Sequence, residues 1–69
     1  MDPQATWNEL QDAIRCSDME ITRDRAESLL GWLARGGFPP VTSNDPTMDQ
    51  DAHRTAAKEC CLKVLRATK

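Results

Sequence analysis

The sequence predicts an all-α fold: a small three-helix bundle in which a helical hairpin is joined by a Pro-rich linker to a third, amphipathic helix. Three observations lead there. No segment alternates apolar and polar residues over the length of a strand. Two stretches, Thr6-Trp7-Asn8-Glu9 and Ser17-Asp18-Met19-Glu20, have capping-box form ahead of apolar residues at helical spacing. The run Gly36-Gly37-Phe38-Pro39-Pro40 then supplies a sharp helix stop.

The first helix is expected over about 6–15. The Thr6 hydroxyl would accept from the Glu9 backbone N–H, and the Glu9 carboxylate from the Thr6 N–H. Leu10 and Ile14 form its buried stripe, flanked by Trp7 and Ala13. A start at Asp2-Pro3, with proline at the first helical position, is the alternative.

The second helix is expected over about 18–35, with Met19, Thr22, Ala26, Leu29, Leu30 and Leu33 along one face. Gly36 suits the left-handed residue that closes a helix, Phe38 would fold back on the last turn, and Pro39-Pro40 forbids continuation. Gly31 inside the helix costs about 1 kcal/mol relative to alanine. It either admits another backbone closely or is simply tolerated.

Residues 39–47 form the linker, and the third helix is expected over about 46–67. Asp45 or Thr47 would cap it, Pro46 suits its first turn, and Asp49 and Asp51 lie near the positive end of its dipole. Ala56, Ala57, Cys60, Cys61, Val64 and Leu65 fall on the inward side, with Arg54, Lys58, Lys63 and Arg66 on the other and Leu62 among them.

The chain of 69 residues (1–69) is long enough for one domain only, and a bundle of this size is marginally stable unless something assists it. Charged residues at 29% and apolar ones at 39% place it with globular chains rather than disordered ones. A formal charge of −2 supplies no global field to draw it onto nucleic acid or an anionic membrane. The charge is uneven. Asp2, Glu9, Asp12, Asp18 and Glu20 crowd the start, and Arg54, Lys58, Lys63, Arg66 and Lys69 the end, so the two could attract within one molecule or join two copies. No apolar run approaches the roughly 20 residues that cross a bilayer, and the opening MDPQATWNEL lacks the features of a signal peptide. Cys16, Cys60 and Cys61 match no disulfide framework, so reduced thiols in the cytoplasm are expected.

The opening Asp2-Pro3-Gln4-Ala5-Thr6, followed by Trp32-Leu33-Ala34-Arg35-Gly36-Gly37-Phe38-Pro39-Pro40, resembles short bacterial proteins of unassigned function. Those proteins pair a D-P-x-A-T start with a W-L-x-x-G-G-F-x-P helix stop. The likeness spans roughly the first 40 residues. It implies a bacterial cytosolic protein built on a two-helix hairpin, and implies no activity.

Four residues stand out for partner binding: Trp7, Trp32, Phe38 and Leu62, since large apolar groups dominate interfaces as well as cores. Cys16, His53, Cys60 and Cys61 offer zinc-ligand chemistry, but adjacent cysteines on a helix point about 100° apart, and no C-x-x-C pair exists. No metal site is expected. A Cys-His nucleophile would need an orienting group and oxyanion donors, and Gly36-Gly37 follows a helix instead of leading into one as phosphate loops do. No enzymatic activity and no cofactor are therefore expected. The basic residues Arg54, Lys58, Lys63 and Arg66 could meet phosphates, yet a Pro-rich linker does not build a helix-turn-helix, and a solvated face is the simpler reading. The expectation is a cytoplasmic protein-interaction or structural module whose partner is another protein or a second copy. A nucleic-acid-binding accessory role is the alternative.

Overall fold

The computed structural model describes residues 2–67. It holds three helices, α1 (Pro3–Arg15), α2 (Met19–Ala34) and α3 (Gln50–Ala67), with no strand among the described residues. The fold is the three-helix bundle the sequence implied. Helix α1 packs antiparallel to α2 and α2 antiparallel to α3, so α1 and α3 run the same way. A radius of gyration of 11.3 Å matches the ~11 Å of a compact chain this long, so α3 is docked rather than splayed.

Each helix start differs from its sequence expectation, for a local reason. Helix α1 takes the alternative start: Asp2 is its cap, accepting from the N–H groups of Gln4 (3.0 Å) and Ala5 (3.2 Å), and Pro3 sits where no N–H is needed. Thr6 is inside the helix, its hydroxyl donating to the Asp2 carbonyl, and Glu9 pairs with Arg25 of α2 instead of closing a box. At α2 the cap is Asp18, accepting from the Ile21 N–H at 3.1 Å. Ser17, expected in that role, adopts φ 57° and forms the left-handed hinge of the hairpin. Helix α3 begins four residues later than expected. Asp45, Pro46 and Thr47 close a turn in which Asp45 accepts from both the N–H and the hydroxyl of Thr47, and Asp49 caps the helix through the Ala52 N–H at 2.8 Å.

The core is Leu10, Ala26, Leu29, Leu33, Ala57 and Cys61, with Trp7, Leu30, Trp32, Val64 and Leu65 half-buried against it. Of the other residues expected inward, Ala56 and Cys60 are only half-buried and two face water. Ile14 and Met19, one either side of the hairpin turn, are exposed. Burial pushes the Cys61 thiol up to about 12, reinforced by neighbouring Cys60, so it behaves as a small hydrophobe.

Candidate interaction surface

The residues following α2 form a short extended strap, and its construction begins with two glycines. Gly36 adopts φ 86°, which glycine takes without the penalty a side chain incurs. Its N–H donates to the Leu33 carbonyl at 3.0 Å, and the Gly37 N–H donates to the Trp32 carbonyl at 3.0 Å, the paired bonds of a Schellman closure. The residue that covers this closure is Trp32. A Cβ on Gly37 would lie 2.2 Å from the Trp32 ring, so only glycine lets the indole lie there. The indole Nε1–H donates to the Phe38 carbonyl at 2.8 Å.

Phe38 was expected to fold back on the helix end, but the indole occupies that place and the phenyl ring is 71% exposed. Pro39 and Pro40 extend the backbone through their fixed φ. Pro40 is fully buried, which turns the chain inward and ties it to the bundle. Next, the Gln4 side chain pairs with Val41 as a second backbone would: the Val41 N–H donates to Oε1 (2.8 Å) and Nε2 donates to the Val41 carbonyl (3.3 Å). The Thr42 N–H donates to His53 Nδ1 at 3.1 Å, and the Thr42 hydroxyl lies 2.9 Å from the same nitrogen. Nδ1 therefore accepts from the Thr42 N–H.

One side chain from each helix thus holds the strap: Gln4 from α1, Trp32 from α2 and His53 from α3. The result is a backbone fixed on its inner side while Phe38 and Val41, the latter 57% exposed, point to solvent. Just beyond, the Asp45 carboxyl is held below the usual carboxylate range, chiefly by the Thr47 hydroxyl, then by the Thr47 N–H.

The other residues singled out in the sequence separate. Trp7 and Trp32 pack on the core, so both aromatic side chains are largely structural in position. Leu62 is 45% exposed on the outer face of α3, away from the strap. The basic residues do not form one free face. Arg54 is half-buried and donates to the Leu33 carbonyl at 3.4 Å, supplying positive charge to the C-terminal end of α2, whose own last turn has none. Arg66 donates to the Leu62 carbonyl, and Lys63 lies about 140° around the helix from Lys58. Among the described residues the ion pairs are Arg15 with Asp12, Arg23 with Glu27, and Arg25 with both Glu9 and Asp24; none joins the acidic start to basic α3. Glu9 and Asp24 together hold the Arg25 guanidinium above its ordinary pKa.

The cysteines and the histidine occupy different places. Cys16 is exposed in the hairpin turn, Cys60 accepts from Gln11 Nε2 at 3.8 Å, Cys61 is in the core and His53 holds the strap. At the hairpin end an apolar groove of about 170 Å³ is lined by Ile14, Ser17, Met19, Thr22, Val64 and Ala67. The Thr22 hydroxyl beside it is 3% exposed and has no hydrogen-bond partner among the described residues.

Sequence reasoning missed Gln4, Pro40 and Val41. Gln4 and Val41 are 37 residues apart and neither carries a local signal; Pro39-Pro40 read only as a helix stop. Among the described residues no helix is long and apolar enough to cross a membrane. No family model, curated protein or solved structure matches this chain.

Proposed function

We propose that this chain is a small protein-interaction module that presents Phe38 and Val41 to a partner on a preorganised extended strap. The observation that carries this reading is the contrast within the strap. Its carbonyls and N–H groups are tied to all three helices and Pro40 is buried, yet its two large apolar side chains face water. Displaying apolar groups on a backbone already fixed reduces the ordering cost of association, which is what an anchor at an interface requires. The same reading places the protein in a bacterial cytoplasm, supported by its unpaired thiols and by the resemblance of its first 40 residues.

The test is recovery from cell lysate with a tagged parent and a Phe38→Ser/Val41→Ser variant, both first checked for equal helicity. One defined protein retained by the parent and lost from the variant is the expected outcome. Equal recovery with both, or none with either, refutes the reading. Nucleic acid released by salt would instead favour the alternative that Lys58, Lys63 and Arg66 contact phosphates.

A further inference from the structure

We infer that the outer face formed by α2 and α3 is a self-association surface whose partner is a second copy of this chain, related by a two-fold axis parallel to the bundle. This stands apart from the strap, which lies at the end of the bundle.

The inference starts from which residues line the valley between the two helices. On α3, Arg54 reaches the α2 carbonyl of Leu33, so that flank of α3 faces α2. Stepping outward along it come Lys58, Leu62 and Arg66, all exposed, with the leucine between the two cations. On α2, Arg25 reaches Glu9 of α1, so the opposite flank, carrying Glu20, Arg23 and Glu27, faces α3. On the outer side of α2, Met19, Glu20, Arg23, Asp24 and Glu27, all from this one helix, line an open hollow of about 450 Å³. Three acids against one base line the hollow; Glu27 is paired with Arg23 and Asp24 with Arg25 just beyond the rim, which leaves Glu20 as the acid with no ion pair among the described residues. On α3 the strip of Lys58, Leu62 and Arg66 is net positive. Glu59 and Lys63, four residues apart on its far edge, offset each other.

The heights of these groups follow from the antiparallel packing. Arg54 sits level with Leu33 at one end, and Val64 and Ala67 share a groove with Met19 and Thr22 at the other. At equal rise per residue, Lys58 is then level with the middle of α2, near Glu27, and Arg66 level with its start, near Glu20. A two-fold axis along the bundle lays α2 of one copy over α3 of the next without changing heights. Glu27 meets Lys58 of the second copy, Glu20 meets Arg66, and Leu62 enters the hollow beside Met19. Each contact occurs twice, as an isologous interface demands. An axis across the bundle would set α2 on α2 and acid on acid, so the charge pattern selects one arrangement.

The face is about 24 Å long, the length of the 16-residue α2, and at a width of about 20 Å it buries close to 1,000 Å² in total over two copies. That is the lower edge of specific association, so the dimer is weak and reversible.

Sedimentation equilibrium from roughly 10 µM to roughly 1 mM decides the matter. The parent passes from monomer to dimer across this range, and association weakens as salt rises. Leu62→Glu, at an exposed position and with unchanged helicity, lowers association at least tenfold. Lys58→Glu alone and Glu27→Lys alone each weaken it several-fold, and the two together restore most of it. A parent that stays monomeric throughout overturns the inference. So does a dimer indifferent to Leu62→Glu, or one that the double charge exchange fails to rescue.

Discussion

Replacing Gly37 with alanine should destabilise the protein by about 2–3 kcal/mol, and the reason is the Trp32 indole rather than backbone strain. The left-handed residue of this turn is Gly36, so alanine at 37 meets no conformational penalty of that kind. The new methyl would lie 2.2 Å from Cε2 and 2.4 Å from Nε1 of the indole, distances no carbon adopts, and the rigid ring must swing away as a unit. Swinging breaks the Nε1–H bond to the Phe38 carbonyl, a loss of about 1 kcal/mol. It also uncovers part of an aromatic side chain, at ~25 cal/mol per Å², adding a further 1–2 kcal/mol or so. Against a stability of roughly 3–10 kcal/mol for a chain this size, that is a large fraction. Urea unfolding followed by circular dichroism measures the change. Indole fluorescence in a Trp7→Phe background reports whether Trp32 has become wetter. Two controls separate the causes. Gly36→Ala should cost about 1–2 kcal/mol through its φ of 86° without shifting Trp32 emission, because space there is open. Gly31→Ala, exposed in the last turn of α2 with nothing near its new methyl, should stabilise by about 0.5–1 kcal/mol. If Gly37→Ala unfolds at the parent's midpoint with unchanged emission, the indole does not lie where the argument requires.

Further consequences can be checked in the same protein. Thr22→Val should stabilise by about 1 kcal/mol, since it replaces a buried, unpartnered hydroxyl by a methyl of similar size; a loss in urea unfolding would mean the hydroxyl has a partner. The thiols should react with an alkylating probe in the order Cys16, then Cys60, with Cys61 labelled only as fast as the molecule unfolds; early Cys61 labelling would contradict its burial. The raised Cys61 value also fixes a sign. Below pH ~9 the thiol is protonated in folded and unfolded chains alike, and between ~9 and about 12 only the unfolded chain ionises, so stability falls as pH rises there, by up to ~1.4 kcal/mol per unit. A Cys61→Ala variant should lose that slope. Thr47→Val removes the hydroxyl that most depresses the Asp45 carboxyl, so its NMR titration should move up toward the ordinary 3.8; no movement would place the cause elsewhere.

Much of this protein follows from its sequence alone. Helical periodicity without alternation determines the all-α class, and Gly36 before Pro39-Pro40 determines where α2 ends, because both act through φ at single residues. The inward set Ala57 and Cys61 is likewise set by the 3.6-residue repeat. Choices among equivalent local options were decided elsewhere. Thr6 and Asp2 both suit a helix cap, as do Ser17 and Asp18, or Asp45 and Asp49. The outcome depends on which start lets Glu9 meet Arg25, gives the hairpin its hinge at Ser17 and leaves room for the Asp45 turn. The strap was least legible. Its hold on the bundle rests on Gln4 with Val41 and His53 with Thr42, pairs distant in sequence whose members are ordinary polar residues in isolation. Local rules assign a conformation to each residue. Only the packed bundle brings one anchor from each helix to the same extended segment, and so only the tertiary structure decided that Pro40 would be buried and Phe38 left facing water.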